Sequence, residues 1–540
     1  MSQILKQNKF VVSVLVITIV FAGMTFGNLP PPTTTMSSQT INGVTFNFAD
    51  YKTLTREQLG MFNYFEDLVI NQDDYNSWDR WYIDGSFRWV RHYVCAFVTY
   101  VLSTLIETTP GYRTSYYQDT AHTLIKMMNT TIEDYGNDSM EYWEWGQTSY
   151  PTYYYPDPAN SSGLYVGGFR GPANIMWTGH YGLMLALYER NFNSGEMTDE
   201  LTWFVEDWNN SLTTDGYGNP QEGGIWKCGL IPCEPQFCFV NCNSIPIYTT
   251  ELFDNLYGSA YMESGMWDYG LNWINNVMQD EYGLFSYLTI VSPTLGSTAE
   301  PPSEYPYVAG DEKGVEVSSY GTSWALLFLE YTQPEKTIAD YPTFMDIYGK
   351  DVSNDQMYMV GDYNYPEQFI DLQKVLGSLF TMPLANQRGD YRSVDRLWNF
   401  WLGSSSQAWS SDGRSMHYED SMASVMKALE PVLTGLCTWG TIPTTMRDLA
   451  DVRPTEFWDQ PYISAADDEN IWVHQAEWDP VKEGFILNIK VDQTATLTFS
   501  NFDSQPLAYR HGSQFAQLEP AGGDDYTLSL EPGLYHLVIM

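Results

Sequence analysis

The chain has 540 residues, 44% apolar and 17% charged, enough for a large buried core and more than one domain. Its 67 acidic residues against 26 basic ones give a formal net charge of −41. That balance excludes a nucleic-acid partner, whose phosphates need basic patches, and disfavours an anionic substrate drawn in by the overall field.

Lys6 and Lys9 precede an uncharged apolar run over residues 10–27, FVVSVLVITIVFAGMTFG. Residues 1–28 therefore read as a signal peptide or a candidate membrane anchor, at the lower length limit for a span. The run NLPPPTTT opens a Pro/Thr-rich linker, assigned to 29–50. Everything beyond it is expected outside the cytoplasm: secreted, periplasmic-like, or held on the outer face of a membrane. Sequons at Asn129, Asn137, Asn160 and Asn209 permit glycosylation.

From 51 to 450, apolar periodicity predicts helices over 55–71, 88–107, 114–132, 173–189, 198–208, 245–257, 259–280, 314–331, 337–348, 367–380, 391–402 and 420–436. Strands and helices do not alternate, which disfavours a doubly wound sheet. No motif repeats at a short period, which disfavours a regular solenoid. The fold class expected is mainly α, an α/α six-hairpin toroid with its site at one end, where loops converge. The loops are long and aromatic, and the 19 Trp and 40 Tyr suit clefts for apolar or sugar-like ligands. After Asp451 the pattern turns to alternation: Phe485, Leu487, Ile489 and Val491, then Ala495, Leu497 and Phe499, then Tyr526, Leu528 and Leu530. Residues 451–540 are therefore expected to form a small C-terminal β-sandwich with an accessory role.

The densest chemistry lies in 227–243, KCGLIPCEPQFCFVNCN, with Cys228, Cys233, Cys238 and Cys242. Pro232 and Pro235 predict a loop. Three readings compete: a disulfide-stapled loop, a metal site, and a pair of active thiols. The spacing lacks a paired C-x2-C knuckle and the loop holds no His, which counts against zinc. Cys95, in an apolar helix, reads as a small core residue, and so does Cys437.

Cys233 to Ser244 reads C-E-P-x4-V-x-C-N-S, and this resembles the two-cysteine loop of the linalool dehydratase-isomerase family. Residues 174–180, NIMWTGH, resemble that family's N-I-M-x-x-G-H motif, about fifty residues upstream. Ser319-Tyr320-Gly321-Thr322-Ser323-Trp324 is similar to its Y-T-T-A-W stretch, and Asn63-Tyr64 with Glu66 and Asp67 is similar to its N-terminal acidic helix. The resemblance implies an α/α barrel without a cofactor or metal. It implies catalytic roles for Cys233, Cys242 and His180, an acidic role for Glu66 (or Asp67), and a catalytic tyrosine nearest to Tyr75. Met176, Trp177, Phe239 and Tyr320 match positions lining the apolar substrate pocket. Cys228 and Cys238, the Tyr/Pro-rich stretch between Glu144 and Gly171, and the β region depart from the family.

Dehydrating an allylic alcohol needs an acid for the leaving hydroxyl and a base for a carbon-bound proton. A thiol with an ordinary pKa of about 8.5 serves either role near neutrality. The leading expectation is thus a hydro-lyase or hydroxyl-shifting isomerase acting on a small apolar alcohol. Two alternatives stand beside it. One is an exported glycoside hydrolase or lyase using a pair among Glu144, Glu222, Glu234 and Asp268. The other is a non-catalytic, disulfide-stapled surface protein. A homo-oligomer is compatible with the sequence.

Overall fold

The structure, a computed structural model, describes residues 38–69, 91–136, 139–143, 154–157, 160–166, 174–216, 218–233, 237–279, 282–285, 288–291, 307–308, 318–360, 367–420 and 430–540. The apolar segment 10–27, and with it the expected leader, lies outside the described residues, as do Tyr75, Glu144 and Glu234. No helix among the described residues is long and apolar enough to cross a membrane.

The chain is roughly half helical with a β-rich C-terminal region. The longer described helices are α1 Arg56–Val69, α2 Arg91–Thr108, α3 Ser115–Met128, α4 Ile175–Phe192, α5 Thr198–Thr213 and α6 Val240–Tyr257. They continue with α7 Asp268–Asn276, α8 Ser319–Leu329, α9 Pro334–Tyr348, α10 Glu367–Gln387, α11 Tyr391–Ser404 and α12 Glu430–Trp439. They fall into two kinds. In α4 every residue from Ile175 to Asn191 is buried, and α8 is buried along nearly all of its length. By contrast α3 buries Tyr117, Thr120, Ala121, Leu124, Ile125 and Met128, the i, i+3, i+4 stripe of a one-sided helix. The more deeply buried helices neighbour one another: α2 packs on α4, α4 on α6, α6 on α8, α8 on α10, α10 on α12, and α12 returns to α2. The one-sided helices lie against them, α3 on α2 and α4, α5 on α4, α9 on α8, and α11 on α10.

Several expected helix bounds move: the helix expected over 420–436 is described as Glu430–Trp439, with Asp420 instead in a strand paired with Ser405, and two further changes have a visible cause. The single helix expected over 259–280 is instead a series of turns followed by α7, because Gly265 adopts φ +84°, a left-handed conformation that ends helical backbone. The helix expected from 245 starts earlier, at Val240, with Pro246 inside it.

The C-terminal region holds two antiparallel sheets. One runs in the order Tyr462–Ala466, Ala495–Ser500, Asp525–Leu530, Glu519–Gly522. The other runs Ile471–Asp479, Gly484–Val491, Gly533–Ile539, Leu507–Arg510, Ser513–Gln517. Phe485 of the second meets Phe499 of the first edge-on at 5.7 Å. The expected linker 29–50 needs correcting at its C-terminal half. Ser38–Ile41 and Val44–Asn47 form a hairpin about Asn42 and Gly43, both at positive φ, the Asn-Gly turn that suits strand twist. Ile41, Phe46 and Phe48 pack on Ile486 and Val538, so this hairpin is part of the β region.

The two regions are tied at the ends of α2 and α4. Arg190 donates to Glu107 at 2.7 Å and to the carbonyls of Asp448 and Asp451 at 3.0 and 3.1 Å. The backbone of Gly111 donates to Ala476, and that of Ile463 to Gly111, both at 2.8 Å.

Candidate functional site

The cysteine segment is half loop and half regular structure. Cys238 lies in the short strand Phe237–Phe239, paired with Leu288–Ile290, and Cys242 occupies the first turn of α6. The expectation of a continuous loop thus fails beyond Phe237, because strand pairing and the helix start take up the backbone there. Asn243 locks the segment. Its Oδ1 accepts from Ile231 N at 2.9 Å, and its Nδ2 donates to the carbonyls of Ile231 and Phe239 at 3.0 and 2.9 Å. This clamp brings Cys242 Sγ to 3.1 Å from Cys233 Sγ, hydrogen-bonding distance for a thiol and its neighbour.

All six cysteines are described and buried, and none forms a disulfide. The stapled-loop expectation is therefore not what the structure shows. Burial, then the neighbouring Cys228 and Cys242, pushes the Cys238 thiol well above its ordinary pKa, so Cys238 stays protonated. Among the described residues no group of three or more His, Cys, Asp or Glu is arranged to hold a metal ion.

The segment docks on α4, which carries His180. Ile175 N, at the start of α4, donates to Pro232 O, directly before Cys233, at 3.0 Å. Further along, Gly179 allows α4 and α6 to close up. A Cβ there would lie 3.1 Å from Pro246 Cδ and 3.7 Å from the Cys242 carbonyl oxygen. Pro246 has no N–H, so it cannot donate to the carbonyl of Cys242 four residues earlier. Cys242 and His180 thus belong to the N-terminal halves of two touching helices, and Cys233 to the segment that precedes one of them.

His180 is fully buried. Its Nδ1 is 2.6 Å from Tyr100 Oη. A phenol that donates there satisfies both its own hydrogen and the ring's lone pair, which places the imidazole hydrogen on Nε2. Burial, and secondly the nearby His92, hold the imidazole well below its usual pKa, so it is neutral near pH 7. His180 Nε2 is buried and makes no hydrogen bond within the chain. Aromatic rings surround it: Tyr93 at 5.7 Å, Phe97 at 5.4 Å, Tyr100 stacked at 5.9 Å and Trp324 at 5.3 Å. Tyr93, Phe97 and Tyr100 are spaced i, i+4, i+7 on α2 and so share one face. Trp324 stacks on Phe380 at 5.0 Å, and Tyr320 reaches Phe380 at 6.4 Å.

The sequence-predicted residues are distributed unevenly. Cys233 and Cys242 meet each other, and their segment docks on the helix that carries His180. Met176 lies one turn before His180 on the same face of α4, Tyr320 joins the aromatic chain through Phe380, and Phe239 directly precedes α6. Trp177 departs from expectation. Its ring stacks on Tyr181 at 4.6 Å, reaches Phe204 of α5, and donates through Nε1 to Met128 O at 3.1 Å. That makes it a packing residue between α4 and the α3 and α5 layer. Glu66 accepts from Tyr116 Oη at 2.7 Å on the α1–α3 surface, where burial, and then Asp67 among its neighbours, raises its pKa. Tyr75 lies outside the described residues. Of the alternative carboxylates, Glu222 and Asp268 are exposed. Sequence reasoning missed Tyr100, Phe97, Phe380 and the ring of Trp324. Tyr100 carried a usable signal, since a phenol in an otherwise apolar buried helix needs a partner.

These features define a mainly helical protein with a buried thiol pair on a segment docked against the helix of a neutral, aromatic-lined imidazole. Residues 92–306 match the family model for linalool dehydratase/isomerase, which supports the resemblance read from the cysteine loop and the His180 motif. The matched segment contains Tyr100, His180, Cys233 and Cys242 and ends before Tyr320, Trp324 and Phe380. Among solved structures, the family 105 glycoside hydrolase of C. acetobutylicum ATCC 824 is similar at 12% identity and a TM-score of 0.40, over 71% of this chain and 99% of that one.

Proposed function

We propose that the protein is a cofactor-independent lyase or isomerase that dehydrates, or shifts the hydroxyl of, a small terpene-like allylic alcohol. In this reading the circuit of buried helices α2, α4, α6, α8, α10 and α12 is the inner wall of an α/α six-hairpin toroid, and the alcohol lies at the end where Cys233 and His180 sit. The leader 10–27 carries the chain out of the cytoplasm. The observation that carries the reading is the 3.1 Å approach of two buried sulfurs on a segment anchored to the helix of His180.

The chemistry follows from the arrangement. The neutral imidazole, its hydrogen on Nε2, donates to the alcohol oxygen and holds it. One thiol protonates that oxygen as the C–O bond breaks, releasing water and leaving an allylic cation. The other sulfur, as thiolate, takes a proton from the adjacent carbon, and the C–H electrons form the new double bond. The alcohol is thereby converted to alkene plus water, and the two sulfurs exchange protonation states. For isomerisation, water returns to the far end of the allylic system instead. Electron-rich ring faces favour the cationic intermediate. Glu66, occupied by Tyr116, takes no part in this proton path.

The test is turnover of linalool and related allylic alcohols by the full chain and by Cys233→Ala and Cys242→Ala. Each single change is expected to reduce turnover by two to four orders of magnitude, the range for losing a general acid or base. Unchanged turnover in either variant, with the wild type active, defeats the proposal.

A further inference from the structure

His180 Nε2 is not the only buried polar atom at this site without a partner. Trp324 is 3% exposed, and its indole Nε1 makes no hydrogen bond within the chain. An indole N–H is a donor only, and leaving one buried and unpaired costs about 1–3 kcal/mol. Three fully buried tryptophans find acceptors within the chain: Trp177 donates to Met128 O, Trp267 to Thr250 Oγ1 at 3.0 Å, and Trp208 to Thr178 Oγ1 at 3.4 Å. The Trp324 ring lies 5.3 Å from the His180 imidazole.

The pairing is built in, because both rings are fixed from behind. Tyr100 occupies His180 Nδ1 at 2.6 Å, and Phe380 and Phe97 hold the indole at 5.0 and 5.3 Å. Phenylalanine at position 324 would keep the stack on Phe380, so packing alone does not demand an indole. With the tautomer set by Tyr100, both unpaired atoms are N–H donors. Two neighbouring donors in an apolar, aromatic surrounding ask for one oxygen with two lone pairs.

We propose that Trp324 is a substrate-binding residue that donates its indole N–H to the same ligand oxygen that His180 holds. This deepens the reading of the site as an alcohol-binding one and rests on it. It has a consequence for selectivity. The site recognises the hydroxyl through its lone pairs, so it discriminates an alcohol from the same carbon skeleton lacking oxygen. The two donors hold the alcohol oxygen before reaction, and one of them yields the lone pair it occupies to the thiol proton as the C–O bond breaks.

The experiment compares equilibrium binding of linalool with that of its analogue bearing hydrogen in place of the hydroxyl. Titration calorimetry is run on the full chain as wild type and as Trp324→Phe. Wild type is expected to bind the alcohol more tightly than the analogue. Trp324→Phe is expected to lose roughly three- to tenfold in alcohol affinity, the worth of one neutral hydrogen bond, and to bind the analogue unchanged. Equal loss for both ligands, or loss for neither, overturns the proposal and leaves Trp324 a packing residue. If Trp324→Phe does not fold, replacing Trp324 by 3-benzothienylalanine, which keeps the bicycle and removes only the N–H, gives the same comparison. Binding is read without turnover, so failure of the dehydration chemistry shows separately, as discrimination of the alcohol with no reaction.

Discussion

Asp468 offers the sharpest physical test of how the helical and β regions meet. It lies in the turn Asp468–Asn470 and faces α1 and the approach to α3, accepting hydrogen bonds from Tyr112 Oη and, at 3.3 Å, from Thr114 Oγ1. Burial raises its carboxyl from an ordinary 3.8 to about 7, and the charges of Glu66 and Glu469 add to the rise. A raised folded-state value means that the folded chain binds this proton more tightly than the unfolded chain does. The stabilisation is therefore complete below the unfolded value near pH 4 and is lost as pH climbs through 7. The full shift would correspond to about 4 kcal/mol at 1.36 kcal/mol per pH unit, and partial solvent access cuts this to about 1–2 kcal/mol. Asp468→Asn keeps an acceptor for Tyr112 and cannot ionise. Thermal melts of the two proteins from pH 4.5 to pH 8 are expected to coincide at the acid end and to diverge upward in pH, with the variant the more stable. A constant gap across that range, or a variant less stable at pH 8, would refute the electrostatic account and leave only the hydrogen bonds.

Tyr100→Phe strips the donor from His180 Nδ1 in a dry site, so a loss of about 1–3 kcal/mol in stability is expected from chemical denaturation. Its turnover should also fall at least tenfold, because the imidazole hydrogen is no longer confined to Nε2. Because His180 is already neutral at pH 7, the pH profile of turnover should show no limb near 6.5, and a clear histidine limb there would contradict the buried, uncharged ring. Gly182→Ala places a methyl 2.6 Å from Trp208 Cη2 and should cost about 1–3 kcal/mol in melts. Arg190→Ala leaves Glu107 with only Arg453, at 2.9 Å, and abandons two carbonyls, so a loss of about 3–5 kcal/mol in unfolding free energy is expected.

What the sequence showed, and what it hid, follows from the range of each signal. Helix existence was legible wherever apolar periodicity ran for several turns, as in α3 and α11, because burial of one face writes itself directly into the residue order. Boundaries failed where single residues acted against the period: Gly265 at positive φ cut one helix short, and the Asn42-Gly43 turn sat in a stretch whose Pro/Thr neighbours suggested a linker. That dipeptide is a strong hairpin signal, and it was outweighed by composition. The early start of α6 was obscured by Pro246, which breaks a helix interior but is tolerated near its first turns.

The candidate site divides along the same line. Cys233 and Cys242 lie nine positions apart, and the His180 motif is contiguous, so local order exposed them. Tyr100, Trp324 and Phe380 come from three separate helices, and only helix packing brings Tyr100 and Trp324 to the imidazole and Phe380 behind the indole. No period or spacing encodes that meeting. What the sequence does encode is the demand each side chain makes: a buried phenol, imidazole or indole must find a partner or wait for one. Tyr100 and His180 answer each other. The indole of Trp324 and the far nitrogen of His180 find no partner within the chain, and on that shared want the proposal of an oxygen-bearing ligand rests.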